Sequence, residues 1–501
     1  MAKIVNWIKH NQKEFWILFS IVAVAAFFRL YKIDQYMTFL GDEGRDVIIV
    51  RRLLTETHPP LIGPGTSVGS MYLGPLYYYM MAPVLLLANF SPVGPAVQIA
   101  ILGVITVGFV WWVGREWFPA SRGLRGTSGL IAASLYAISP TVIIFSRSSW
   151  NPNIMPFFAL LSIYLIWKVW REHKFKWVLV LGVSFAFVLQ SHYLGLLLMP
   201  TLLIFWYLAR VPKRFTLYAV AVFAILMSPL LFFDLRHNFM NTKAIYALIA
   251  THGGTVSFSI RQFLSRIPVL INQINTTLLA GKNVLFGEVL SLTILIGGLY
   301  TIFRKRTGRL SPNYYLPLSC LGFGLIGFGI YKLPIYDHYF GFLFPAPFLI
   351  IGAVIENVQR NRNVLIKIFL FAFCLVLVSV NLLNNPLRFQ PNKQLARSQN
   401  VSRFILDRAS GEPFDLAVLA ERNYEDGYRY FLELWGGIVL HADRWDQKTI
   451  VDQLFVVCEM DEKKCDPTHS PKAEIANFGM SKIESQWEVN GVMVYKLVHS
   501  K

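Results

Sequence analysis

Acidic residues are scarce through most of this chain. Of its 501 residues, 29 are Asp or Glu, and residues 1–383 hold only 12 of them. Charged residues of both signs make up 15% of the chain against 54% hydrophobic, and the mean hydropathy is +0.47. This excludes an ordinary soluble domain and points to many membrane spans. The net charge of +18 is uneven: residues 384–501 carry 15 basic and 17 acidic residues, which leaves 32 against 12 for residues 1–383. The basic residues sit in short clusters between apolar runs, so they read as cytoplasmic loops under the positive-inside rule, with no nucleic-acid partner. No small-residue cleavage site follows the apolar run Phe15–Phe28 before Arg29-Leu30-Tyr31. The run therefore reads as a retained first span, with Lys3, Lys9 and Lys13 inside. There are only four cysteines. Cys320 and Cys374 lie in apolar runs as packing residues. Cys458 and Cys465 can pair in an oxidising exterior or remain free.

What is present is a series of apolar runs of roughly the 20 residues a span requires: 15–31, 94–113, 128–146, 153–170, 177–191, 193–209, 215–233, 285–303, 313–331, 339–356 and 364–383. Alternate runs are followed by basic clusters: Arg115/Arg122/Arg125, Arg171/Lys174/Lys176, Arg210/Lys213/Arg214, Arg304/Lys305/Arg306/Arg309 and Arg360/Arg362/Lys367. The alternation requires that Leu76–Phe90 not cross. That segment is short, contains Pro83 and opens on tyrosines, which suits a helix in or dipping into the outer interface. The expectation is a mainly α, polytopic protein of about 11 transmembrane helices, its N-terminus cytoplasmic and its tail outside.

Residues 1–383 form the membrane domain, with long outer segments at 32–93 and 234–284, and residues 384–501 form a small extracytoplasmic α/β domain. In the tail, helices are expected at Ser402–Ala409 and Tyr424–Trp435 and buried strands at Phe414–Ala420 and Leu454–Cys458. Lys482–Val489 and Val492–Val498, joined by Asn490-Gly491, form a hairpin with a type I′ turn. In the first outer segment Val47, Val50 and Leu54 recur at helical spacing over Glu43–Glu56, as in an amphipathic helix lying on the membrane.

Five of the 12 acids in residues 1–383 fall between Asp34 and Glu56, and two are adjacent in Gly41-Asp42-Glu43-Gly44-Arg45. Asp42 can cap the helix it precedes. Alternatively, paired carboxylates at a membrane face raise one pKa or recruit a cation, and one can take a proton from a hydroxyl as general base. Arg45 can pair with either acid or with a phosphate. In the outer segment Arg147–Asn153, Asn151 before Pro152 marks a helix start, while Arg147 and Trp150 offer substrate contacts. His192-Tyr193 and His338-Tyr339 stand at outer ends of spans, as an aromatic belt or as functional groups. Asp337 and His338 could join Asp42 and Glu43 around a divalent metal, although no known metal spacing is present. Arg236, His237 and Lys332 are cations near the lipid surface that either snorkel or hold a phosphate.

With its basic N-terminus, first span, outer loop opening on Asp42-Glu43 and basic-looped spans, the chain resembles the GT-C glycosyltransferases. Within them it is similar to the protein O-mannosyltransferase and aminoarabinose transferase-like branch. The resemblance covers residues 1–383 as architecture, and its sharp motif is Gly41–Arg45. It implies that Asp42 is a catalytic base or acceptor binder. It also implies a polyprenyl-phosphate-linked sugar donor, and transfer at the outer face of a membrane, here read as the plasma membrane. Two departures accompany it. Tyr72-Leu73-Gly74-Pro75-Leu76 stands where the aminoarabinose branch has an acid-Lys-Pro-Pro element, and Arg147–Asn153 lacks that branch's second-loop Asp. The expected function is an integral membrane glycosyltransferase acting on a glycan, lipid or protein acceptor. A lipid-linked saccharide flippase is the alternative, and the lack of a convincing internal repeat weighs against it.

Overall fold

In the computed structural model, the described residues are 2–66, 71–120, 123–250, 259–304, 311–441, 443, 446 and 449–500. Arg122, Lys305, Arg306 and Arg309 of the basic clusters, and residues 251–258 of the second long segment, lie outside them.

All eleven apolar runs are helical within the described residues. Among the described residues, five helices are long and apolar enough to cross a membrane: Val93–Trp117, Asn151–Glu172, Lys213–Arg236, Pro312–Ile330 and Val364–Leu383. A sixth span forms if Asp337–Leu343 and Pro345–Gln359, bent by 61°, count as one. Of the other five expected spans, 128–146 and 193–209 are each broken into two helices and 177–191 is a helix of 15 residues, whereas 15–31 and 285–303 lie in unbroken helices of 19 and 21 residues, Gln12–Leu30 and Val284–Arg304. The interruptions have local causes. Pro140, Pro200 and Pro345 each open a new helix at its first or second position, because proline lacks the N–H that would continue the preceding one.

Leu76–Leu87 has 12 residues and reaches about 18 Å at 1.5 Å per residue, well short of the hydrocarbon core. One face packs into the protein through the buried Tyr77, Tyr78, Met81 and Leu85, while Tyr79, Leu86 and Leu87 on the other are exposed. The helix Gly41–Thr55 is covered by protein on both sides, unlike the expected helix lying on the membrane. Its Val47, Ile48 and Val50 pack with Tyr77 and Tyr78, and the C-terminal domain covers its other side. We call it the platform helix.

The bundle has two polar ends. At one, Arg115 Nε meets the buried Glu14 at 2.8 Å, Trp111 donates to the same carboxylate at 3.1 Å, and Lys168 pairs with Glu116 and Glu172. Arg115 is thus a buried tie to the helix of the first apolar run (Gln12–Leu30) as well as part of a basic cluster. The opposite end carries the platform helix and the C-terminal domain.

That domain is an α/β unit. Its sheet has the order β2-β1-β3-β5-β4, from β1 Phe414–Leu419, β2 Val439–Leu440, β3 Gln453–Cys458, β4 Ser481–Val489 and β5 Val492–His499. β2, β1 and β3 run parallel, whereas β5 is antiparallel to both β3 and β4. β1 and β3 are buried along their whole length, as strands covered on both faces must be. Asn490 and Gly491, at φ 51° and 77°, make the hairpin turn with the positive φ at both positions that type I′ requires. Helices Gln394–Ala409 and Asp426–Leu434 pack beside the sheet. Cys458 and Cys465 are disulfide-bonded, with Cα atoms 6.4 Å apart, and Cys320 and Cys374 are free.

Candidate active site

Two glycines let the C-terminal domain sit directly on the platform helix. A Cβ on Gly41 would lie 2.5 Å from the Tyr424 ring, and one on Gly44 would lie 2.3 Å from the backbone of Asp426 and Gly427. Polar groups close the same seam. Gly41 N–H donates to Asn423 Oδ1 at 2.8 Å and Phe39 N–H to Gln394 Oε1 at 3.0 Å. Glu433 receives Arg51 at 3.0 Å, Arg52 at 3.1 Å and its own helix's Arg429 at 2.8 Å.

At the start of the platform helix the two adjacent acids divide the work. Glu43 is buried, and its Oε2 accepts the Leu40 N–H at 3.0 Å. The capping role open to Asp42 is therefore filled by Glu43. Burial pushes the Glu43 carboxyl up to about 7. Asp42, with 41% of its side chain exposed, meets its partners among the described residues through one oxygen: Oδ1 accepts Arg45 Nη1 at 2.8 Å and the Tyr424 hydroxyl at 2.7 Å. Arg45 also grips Asp46 Oδ1 through Nη2 at 2.8 Å and Nε at 3.1 Å, and the Tyr78 hydroxyl donates to the same oxygen at 3.1 Å. Asp46 is fully buried, and burial outweighs the Arg45 contact, raising its carboxyl to about 6. Burial opposes the Arg45 cation, but Asp46, Tyr78, Tyr424 and Asp42 outweigh it and keep the guanidinium charged.

Asp42, Arg45 and Tyr424 border a cavity of about 1060 Å³. Its polar mouth is an aromatic and imidazole cluster. The His338 ring lies 4.6 Å from Trp150, 4.6 Å from Tyr339 and 5.9 Å from both Tyr336 and His192. His192 Nδ1 accepts the Leu194 N–H at 3.2 Å, so in the neutral ring the proton sits on Nε2. The far wall is apolar: Leu189 and Leu196 face Val220, Phe223, Met227 and Leu231 of the Lys213–Arg236 helix.

Asp42, Arg45, Asn151, His192, Tyr193, His338 and Tyr339 all line this one cavity. Asn151 donates to Ser191 O at 2.7 Å, and the Tyr193 hydroxyl bridges Tyr72 O and Asn241 Nδ2. The remaining expected site residues lie elsewhere. The buried Arg147 donates to Phe28 O and to Tyr31 O at 2.7 Å, and stacks on Tyr36, so it satisfies the carbonyls that end the Gln12–Leu30 helix. Arg236, His237 and Lys332 are exposed and outside the cavity lining, and His237 stacks on Phe233 at 4.0 Å. Asp337 pairs with Lys282 at 2.8 Å, not with Asp42 and Glu43, and no group of three metal-binding side chains occurs among the described residues. Sequence reading missed Asp46 and Tyr424. Asp46 had a signal, standing one helical turn from Asp42 beside Arg45. Tyr424 had none.

A bundle of apolar helices with a cavity at one end, roofed by a small α/β domain, is the arrangement of the GT-C membrane glycosyltransferases, and this chain has that fold. Residues 73–233 match the profile of the dolichyl-phosphate-mannose-protein mannosyltransferase family. The chain is similar to ArnT from Cupriavidus metallidurans bound to undecaprenyl phosphate, with a TM-score of 0.63 at 12% identity over 96% of this chain and 98% of that one. The apo state of the same ArnT matches with a TM-score of 0.60 at 13% identity, over 97% and 98%. No curated protein matches the chain.

Proposed function

We propose that this protein transfers a sugar from a polyprenyl-phosphate donor to an acceptor hydroxyl at the outer face of the membrane, with Asp42 as general base. One observation carries the reading. A carboxylate anchored through Oδ1 alone stands at the polar mouth of a cavity whose other end is a wall of lipid-like side chains. An amphipathic donor fits that polarity, its isoprenoid against Val220, Phe223 and Met227 and its head group at the mouth. The likeness to ArnT, solved with undecaprenyl phosphate, supports a lipid phosphate as the donor class.

In the proposed reaction the acceptor oxygen attacks the anomeric carbon from the side opposite the phosphate. The new glycosidic C–O bond forms as the anomeric C–O bond to phosphate breaks, the bonding pair leaves with polyprenyl phosphate, and the hydroxyl proton passes to Asp42 Oδ2. The configuration inverts. Arg45 orients the base through Oδ1. The phosphate is received by His192 Nε2–H and His338, because the exposed Arg236, His237 and Lys332 stand outside the cavity. Trp150, Tyr336 and Tyr339 present ring faces to the sugar. The basic end of the bundle then lies in the cytoplasm and the C-terminal domain outside.

The trial is transfer from a polyprenyl-phosphate sugar by purified Asp42→Asn protein. Loss of about 100-fold or more in kcat is expected for a missing general base; undiminished transfer would sink the assignment. Transfer by the purified wild type also separates this reading from a flippase, which would move the lipid-linked sugar without breaking its phosphate bond.

A further inference from the structure

We propose that the C-terminal domain supplies a positioning residue to the active site: Tyr424, whose hydroxyl fixes the rotamer of the Asp42 carboxylate. This deepens the function proposed above and rests on it. Asp42 has two carboxylate oxygens, and both of its protein partners, Arg45 Nη1 at 2.8 Å and the Tyr424 hydroxyl at 2.7 Å, donate to Oδ1. Two donors from different directions stop the carboxylate from turning, and Oδ2 is left to face the cavity and take the proton. Arg45 alone gives the carboxylate a single contact through Nη1, its Nε and Nη2 being held by Asp46, and a carboxylate can swing about one contact.

Tyr424 is itself held before any substrate arrives. It lies between β1 and the Asp426–Leu434 helix, and its neighbour Asn423 links Gly41 N–H, at 2.8 Å, to Glu459, at 2.8 Å. Lys472 ties the same loop by donating to Val418 O at 2.9 Å and pairing with Glu425 at 3.0 Å. The aromatic ring packs on Gly41, and Arg45 Nη1 donates to the hydroxyl at 3.3 Å. Stability alone gives little reason for this hydroxyl. Its acceptor is 41% exposed, where water would satisfy the carboxylate equally well. What the hydroxyl provides and water does not is a fixed direction.

Tyr424→Phe keeps the ring on Gly41 and removes only the hydroxyl. The test compares full-length wild type, Tyr424→Phe and Asp42→Asn, purified in nanodiscs, with a polyprenyl-phosphate sugar and acceptor. Each variant's thermal melt is recorded. The expected result is a kcat for Tyr424→Phe lower by roughly 10- to 100-fold, the range of a hydrogen bond to a charged group. Its KM for the lipid donor and its melt stay unchanged. Wild-type kcat in Tyr424→Phe beside an inactive Asp42→Asn overturns the positioning role and leaves the general-base reading standing. An active Asp42→Asn overturns that reading and this inference with it. A kcat loss accompanied by a lowered melt, or matched by a rise in KM, assigns Tyr424 to domain docking and overturns the inference as well.

Discussion

The approach of the C-terminal domain to Gly44 offers a perturbation that touches no functional side chain. Adding one methyl group in Gly44→Ala would place a Cβ 2.3 Å from the carbonyl carbon of Asp426 and the amide nitrogen of Gly427, whereas ordinary contact begins at 3.4 Å. The obstruction is backbone, so no rotamer relieves it. The Asp426–Leu434 helix has to withdraw by about 1 Å, at an overpacking cost of about 1–3 kcal/mol. The flexible Arg51 and Arg52 can follow Glu433 through that movement, and the domain stays attached. Tyr424, two residues from the wedge, cannot follow. Its 2.7 Å contact to Asp42 stretches beyond hydrogen-bonding range. Losing that contact costs what removing the hydroxyl costs, about 10- to 100-fold, and that is the fall expected in kcat, with KM for the lipid donor changed by less than about threefold. The assay is steady-state transfer in nanodiscs, with Gly108→Ala as the control, since a methyl there meets nothing within 4 Å. Wild-type kcat in Gly44→Ala would refute the tight seating of the domain on the platform helix.

The remaining expectations concern the acids and the exposed cations. Glu43 is raised from 4.5 to about 7 by burial, so the native state holds a proton that the unfolded chain gives up. That contribution to stability is complete below pH 4.5 and is lost as pH rises through 7. Glu43→Gln keeps an acceptor for the Leu40 N–H and cannot ionise. It should therefore melt like wild type near pH 4.5 and be more stable at pH 8, by on the order of 1–3 kcal/mol; identical melts at both pH values would contradict the burial argument. Arg236→Ala and Lys332→Ala should each leave kcat/KM within about threefold of wild type, as exposed charges do. A loss of tenfold or more would bring those cations back to the phosphate.

Much of this site was legible because acid is rare in the membrane domain. Asp42 and Arg45 stood out for that reason, and the helical spacing of Val47, Val50 and Leu54 correctly gave the platform its helix. The partner of that helix was not legible, since its apolar stripe fits lipid and protein equally well. The division between Asp42 and Glu43 turned on where the helix begins, and a shift of one residue at a helix start exchanges capping and free positions. Arg147 was misleading for a general reason. A lone buried arginine looks the same in sequence whether it meets a ligand or the carbonyls ending a neighbouring helix, here those of Phe28 and Tyr31. Arg236, His237 and Lys332 show the same limit at the surface: topology assigns an end of the bundle, but not whether a side chain turns inward. In the tail, by contrast, strand runs and an Asn-Gly turn are local signals, and the expected strands and hairpin recur in the sheet almost residue for residue.

The wide separation of Asp42 and Tyr424 also bears on biosynthesis. The two residues stand 382 positions apart, and the sheet that braces Tyr424 places β5 between β3 and β4. Because β5 is made after every other strand, the sheet cannot close until Val492–His499 has emerged. While the helical bundle is threading into the membrane, Asp42 has one of its two holders and no roof above it. A ribosome-bound chain therefore carries the cavity before it carries the finished site, and any lipid that enters early meets an Asp42 whose second donor has not yet been made.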